Sequence, residues 1–417
     1  MGKTIAEKVL SSHSGSDCAA GDIVIASVDF AMSQDGTSTM MIRELQELGF
    51  EGPKTKRGMA IVIDHNSPCP SVEVAKIHKM IRDYARAKSI PIHDVGEGVC
   101  HQVVPESGKA LPGDLVVGAD SHTCTYGALN ACSTGLGSAD VAAAAFTGKL
   151  WFKVPETFLI NVEGGFAPRV GAKDLALRVI GSLTADGATY KSIEFSGEAI
   201  NSMAMDGRFT VANMSVEMGA KFCPFAFDKT TANWLTSRGI STGISVSSDF
   251  DCKYEKDFDF DASDLVPIVS KPHAVDKVSN ATDLRDVQIQ QAFLGTCTNG
   301  RLSDLHAAAE ILKGKHVKKG VRFIVAPASR TIYLEAMEKG IVSELLKAGA
   351  SFVAPGCGPC VGTHAGIPSD GDNVISTANR NFKGRMGNNK DVGIYLASPE
   401  TVAASALTGN ITDPREV

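Results

Sequence analysis

Cys357 and Cys360 stand in Pro-Gly-Cys-Gly-Pro-Cys-Val-Gly (355–362), and a third cysteine, Cys297, lies far upstream in Leu-Gly-Thr-Cys-Thr-Asn-Gly (294–300). Two thiols three positions apart can turn toward one metal centre. The glycines and proline around them favour a rigid loop over the start of a helix. Cys297 directly follows the apolar run 291–294, which is where an α/β protein delivers functional groups, at the carboxyl end of a strand. A chain that uses these cysteines together must bring two distant loops to one point. Three thiolates do not close a tetrahedral site, and iron–sulfur clusters usually take four cysteines. Either a fourth ligand lies elsewhere or one metal corner stays open to substrate. Taken alone, the Cys-x-x-Cys spacing also fits a redox pair or half of a zinc site.

The rest of the chain alternates strands and helices. A short amphipathic helix is predicted at 5–10, a strand at 22–28, a turn at 34–37 with Thr37 capping a helix to about 48, and a buried strand at 58–63. That strand ends at Asp64 and His65, where a carboxylate can orient an imidazole and raise its basicity for acid/base work. As an alternative, the pair simply caps the amphipathic helix over 71–87, on which His78 is structural. Gly-Glu-Gly-Val-Cys-His-Gln (96–102) is too glycine-rich for a helix, so His101 is expected on a loop. A strand over 114–119 ends in Asp120, Ser121 and His122, a second carboxylate and imidazole pair, and an alanine-rich structural helix follows over 139–149. Asn213 and Glu217, four apart, share one helix face, which by itself is the pattern of a solvated surface. Residues 249–264 are acidic and aromatic. They lack the EF-hand glycine and terminal glutamate spacing and suit an exposed edge strand, with the span to 279 a linker. Strands over 291–294 and 321–325 and helices over 303–312 and 331–339 complete a parallel pattern. Arg380 and Arg385 carry planar guanidinium groups that suit carboxylates.

Six motifs together, Gly-Glu-Gly-Val-Cys-His-Gln (96–102), Gly-Ala-Asp-Ser-His-Thr (118–123), Asn-Met-Ser-Val-Glu-Met-Gly-Ala (213–220), Leu-Gly-Thr-Cys-Thr-Asn-Gly-Arg (294–301), Pro-Gly-Cys-Gly-Pro-Cys (355–360) and Asn-Arg-Asn-Phe-Lys-Gly-Arg (379–385), resemble the aconitase superfamily. Within it the chain looks like the large subunit of the isopropylmalate dehydratase and homoaconitase group, over nearly its whole length. The resemblance implies an α/β fold of three α/β/α domains around a central cluster, here at 1–160, 161–279 and 280–417, without the swivelling fourth domain of single-chain aconitases. It implies a 4Fe-4S cluster on Cys297, Cys357 and Cys360. Asp64, His65, His101, Asp120, His122 and Glu217 form the acid/base set around it, with Glu217 bonded to a histidine, expected to be His122. Gln34, Ser121, Asn213, Arg380 and Arg385 meet the substrate.

The implied activity is a hydro-lyase that dehydrates and rehydrates a hydroxy-dicarboxylic acid. 3-Isopropylmalate of leucine biosynthesis is the first expectation, and 2,3-dimethylmalate and the homoaconitase substrates are the alternatives. At position 34 isopropylmalate-type members often carry His and aconitases Gln, and 66–70 departs from the commoner pattern, placing Cys69 near the pocket mouth. In single-chain aconitases the fourth domain carries the serine base. The arginine motif here falls close to Val417, so a small subunit is expected to bring that base, and the isolated chain is expected to be inactive.

Composition narrows the other classes. A chain of 417 residues exceeds what one core normally organises. A net charge of −6 argues against nucleic acid, and so against an iron-sensing RNA-binding protein, the reading from another class. No apolar run approaches the roughly 18 residues of a membrane helix, and no signal-peptide pattern opens the chain, so neither membrane nor export is expected. Ten cysteines without a secretion signal read as reduced thiols, hence a cytoplasmic protein. Phosphate-loop and dinucleotide fingerprints are missing, and a zinc-dependent hydrolase stays a weak third option.

Overall fold

The computed structural model describes residues 2–417. The first sheet has five strands in the spatial order Ile92–His93, Met59–Val62, Phe30–Gln34, Leu115–Gly118, Cys132–Gly135, all parallel. Its three central strands are buried at every position, as expected of apolar runs covered by helices on both faces. Parallel neighbours end on the same side. Gln34, the Asp64–His65 pair and Asp120–His122 therefore emerge together, and this sheet sets half of the site.

The helix Asp35–Glu47 follows Phe30–Gln34 with no intervening turn, so Gln34 itself is the N-cap and its side-chain oxygen accepts from the Gly36 N–H. Thr37 is not the cap. Its hydroxyl lies inside the first turn and donates to the Gln34 carbonyl at 3.2 Å. His101 is on a helix, Cys100–Glu106, rather than a loop; the glycines at 96 and 98 precede that helix without entering it. The first helix, Ile5–Ser14, is longer than expected and opens with a Thr4/Glu7 capping box. The alanine-rich helix spans Ser138–Thr147 and stops at Gly148, whose φ of 75° is left-handed. Lys149–Lys153 is then a strand, missed in the sequence, paired antiparallel with Ile23–Ser27.

A second sheet, Lys256–Asp261, Thr157–Glu163, Ser192–Ser196, is also parallel, with the acidic strand at its exposed edge. The helix Met205–Met214 carries Asn213 but ends before Glu217, which sits in a 3₁₀ turn, Ser215–Met218. One continuous helix face does not hold both residues. They reach the site by different routes.

The third sheet has seven strands in the order Val278–Asn280, Ile268–Ser270, Gly393–Leu396, Asn373–Ser376, Gln291–Leu294, Arg322–Val325, Ser351–Phe352. The first two are antiparallel and the rest parallel. The span to 279 is therefore no linker; two short strands within it extend the sheet. Cys297 follows Gln291–Leu294, Cys357 follows Ser351–Phe352, and Arg380 follows Asn373–Ser376, again at carboxyl ends. The cores run together: Phe30, Met32 and Val62 of the first sheet pack in one buried cluster with Ala292, Leu294 and Val325 of the third. Among the described residues no helix is long and apolar enough to cross a membrane.

Candidate active site

Where the strand ends of the first and third sheets face each other there is a cavity of about 140 Å³. Gln34, His65, His101, Asp120, Ser121, His122, Cys297, Cys357, Cys360, Arg380 and Arg385 line it. Asp64, Asn213 and Glu217 stand behind this wall and act on it through hydrogen bonds. Val99, Val361 and Asn379 complete the lining and were not singled out in the sequence. Cys69 is exposed and takes no part.

Asp120 is the hub of the polar wall. Its Oδ1 lies 2.8 Å from His101 Nε2 and accepts the His122 backbone N–H at 2.9 Å, while Oδ2 lies 3.4 Å from His65 Nε2. Burial alone would raise its pKa. The three histidines outweigh it and hold the carboxyl well below the usual range. His65 is flanked on its other side by Asp64, with Nδ1 to Oδ1 at 2.8 Å. Burial opposes the charged imidazole, yet the two carboxylates raise His65 well above its ordinary value. His101 goes the other way: burial lowers it despite Asp120. Two imidazoles sharing one carboxylate are thus shifted in opposite directions. Glu217 Oε1 lies 2.8 Å from His122 Nε2 and accepts from Arg380 Nε at 2.8 Å, and these partners hold it low against burial.

The loop carrying Asp64 is fixed by Asp35, which the sequence marked only as part of a turn. Its carboxylate accepts the backbone N–H groups of Asp64, His65 and Asn66 at 3.1, 2.8 and 3.0 Å and the Asn66 amide at 2.8 Å, with His78 Nε2 at 3.3 Å. Against burial, the bond from His78, the charge of His65, the Asn66 amide and the His65 N–H hold Asp35 far below the ordinary carboxylate range. Asp35, Asp64 and His65 lie close enough to share an ion, but Asp35's acceptors are taken by N–H donors. Gly356 makes the junction with the cysteine loop: at φ 156° an added Cβ would sit 2.9 Å from the Asp64 carbonyl, which also accepts the Cys357 N–H at 2.9 Å.

The three thiols are buried and surrounded by donors. The side-chain amides of Asn213 and Asn379 donate to Cys297 Sγ at 3.2 and 3.3 Å, and Arg385 Nη2 donates to Cys360 Sγ at 3.3 Å. Burial pushes the isolated Cys297 thiol up to about 12. Cys360, sharing a proton with Cys357 and facing Arg385, is driven well below its usual value while Cys357 rises. Arg301 is wholly buried and ties the turn from inside, donating to the carbonyls of Thr298 and Cys297 at 2.7 and 3.0 Å and to Gln102 at 2.9 Å. Lys173 donates to the carbonyls of Thr377 and Ala378 at 2.8 Å each, just before Asn379 and Arg380. Burial brings it down to about 7. The buried Arg385 Nε–H has no partner. Thiols ringed by N–H donors and cations, with an orphaned donor beside them, fit a thiolate-bound anionic group.

A model of the aconitase family (aconitate hydratase) matches residues 7–282 and 273–409. The chain is 51% identical to the 3-isopropylmalate dehydratase large subunit 2 of Archaeoglobus fulgidus, over all of both chains. It is 49% identical to the 3-isopropylmalate dehydratase large subunit of Elusimicrobium minutum, again over all of both. It is also 49% identical to the probable methanogen homoaconitase large subunit of Methanosarcina mazei, over 94% of this chain and all of that one.

Proposed function

The chain belongs to the aconitase family, and from that premise we propose that it is the large, catalytic subunit of a hydro-lyase that dehydrates and rehydrates 3-isopropylmalate in leucine biosynthesis. The observation that carries the reading is the single cavity in which three buried thiols face a wall of carboxylate-held imidazoles. Cys297, Cys357 and Cys360 would hold the 4Fe-4S cluster, which supplies, when bound, a Lewis-acidic iron with a position that no cysteine takes. The other residues bind, orient and move protons. His65, kept protonated by Asp64 and Asp120, holds at Nε2 the proton for the departing hydroxyl. Arg380 commits Nε to Glu217 and leaves its terminal N–H groups for a substrate carboxylate, with Arg385 beside it in the cavity wall for a second. Gln34 and Ser121 complete the pocket edge, with Asn213 behind it bonded to Cys297 and Glu217 orienting His122.

The base that removes the carbon-bound proton comes in this reading from a small subunit whose swivelling domain presents a serine. The "large subunit" names of the relatives support such a partner. We divide the chain into three α/β units near residues 155 and 265, the first limit set ahead of the strand Thr157–Glu163 and the second ahead of Ile268, so that each of the three sheets stays whole. A homoaconitase substrate is the second reading, favoured by the Methanosarcina mazei relative.

Anaerobic iron and sulfide analysis with EPR, before and after brief air exposure, tests the cluster; loss and regain of one iron is expected. Zinc, or no metal under strict anaerobiosis, overturns it. With the small subunit added, conversion of 3-isopropylmalate should exceed that of 2,3-dimethylmalate and homoaconitate. The reverse order replaces the substrate, and full turnover by the chain alone removes the partner.

A further inference from the structure

Tyr126 has no part in the roles above, yet it touches His101. It lies in the 3₁₀ segment Ser121–Leu129 and is wholly buried. Its hydroxyl oxygen is 3.2 Å from His101 Nδ1 and 3.4 Å from the Cys100 carbonyl oxygen. The ring runs on from there: His101 Nε2 to Asp120, Asp120 to His65, His65 to Asp64, and Asp64 Oδ2 back to the Cys100 N–H at 2.6 Å.

The bookkeeping of hydrogens in this ring is constrained. A carboxylate only accepts, so His101 Nε2, facing Asp120, must carry hydrogen. In a neutral imidazole Nδ1 is then a bare, buried lone pair needing a donor, and the Tyr126 hydroxyl supplies one. Were His101 charged, Nδ1–H would need an acceptor, and the same hydroxyl could turn its hydrogen to the Cys100 carbonyl and accept. A phenylalanine would serve neither state.

We propose that Tyr126 is a positioning residue for His101: its hydroxyl donates to Nδ1 and holds the imidazole as the neutral Nε2–H tautomer toward Asp120, so that the transferable proton of the network resides on His65. The charged and titratable groups facing His101 are Asp120 and His122 from its own side of the cavity, Asp64 from the neighbouring loop, and Tyr126. Burial, which disfavours a charged His101, acts in the same direction. The tautomer is a property of the chain alone; its catalytic consequence rests on the proposed dehydratase reading.

The test begins with the full chain before cluster reconstitution, with histidine labelled in ¹⁵N and His101 assigned through His101→Gln. Long-range ¹H–¹⁵N correlation near neutral pH is expected to show hydrogen on Nε2 and an unprotonated Nδ1 shifted by an accepted hydrogen bond. In Tyr126→Phe the Nδ1 resonance should move to the position of an unbonded lone pair. In the reconstituted complex the same variant should lose about 10- to 100-fold in kcat, as second-sphere partners do, with KM little changed. Hydrogen on Nδ1 of the wild type overturns the proposal even if Tyr126→Phe does not fold, and so does a variant whose resonance and kcat match wild type. Because the spectrum needs neither cluster nor substrate, the tautomer can fail while the dehydratase reading stands, and the reverse.

Discussion

At the residue scale the site is a matter of which hydrogen sits where. Asp120 bonds or faces three imidazoles, and one negative charge serves all of them. Removing it with Asp120→Asn withdraws a charge that favours imidazolium at His65, so the His65 pKa falls. The protonated fraction is then lost at lower pH, and the alkaline limb of kcat/KM should move toward acid; a limb that stays in place would remove His65 as the acid. The sulfur side has its own dependence on donors. Asn213→Ala and Asn379→Ala each delete one N–H bond to Cys297 Sγ. Iron retained after dialysis against a chelator is expected to fall with a loss of about 10- to 100-fold in affinity, measured as iron per chain.

At the element scale, strand ends decide. Asp35 stands at the start of a helix yet holds the loop after the neighbouring strand through three backbone N–H groups. Asp35→Ala strands these donors, each costing about 1–3 kcal/mol when buried and unpaired, and a reduced urea midpoint should record it. Its folded pKa is depressed, so this stability is present above the unfolded carboxylate value and is lost as pH falls through the folded one. Much of this scale was legible. Apolar runs gave the strands 291–294 and 59–62, and spacing gave the helix Val72–Ala87. What was missed is what long-range contacts decide: that His101 rides a helix packed beside Asp120, that Glu217 leaves its helix for a 3₁₀ turn, and that Ile268–Ser270 pairs with Gly393–Leu396. The thiols, imidazoles and guanidinium groups of the cavity wall were found through motif, because they declare their chemistry. Asn379, Tyr126, Lys173 and Asp35 act by hydrogen bonds to other residues, and no local spacing signals that.

At the scale of the molecule, three helix starts meet behind the cysteine turn, at Lys173, Asp304 and Glu400, around a second cavity of about 140 Å³. This seam joins the helix Ala172–Leu183 to Leu302–Leu312 and Pro399–Thr408 across the second and third sheets. Burial, with Asp174 and Asp304 adding, pushes Glu400 up to about 8. A folded pKa above the unfolded one contributes stability that is full below the unfolded value and is lost as pH rises through about 8. Glu400→Gln carries no charge at any pH. Its urea midpoint should match wild type near pH 5 and exceed it near pH 9, and equal midpoints at both would show that the seam does not feel this charge.

Gln34 and Arg385 line the same cavity from near opposite ends of the chain. On the ribosome Gln34 emerges early, and the third sheet, with the cysteine loop it carries, late. A nascent chain that has folded its amino-terminal sheet therefore exposes half a wall of imidazoles with nothing opposite it. The cavity is complete only once translation has passed Arg385, so a chain cut short of that point lacks part of its wall.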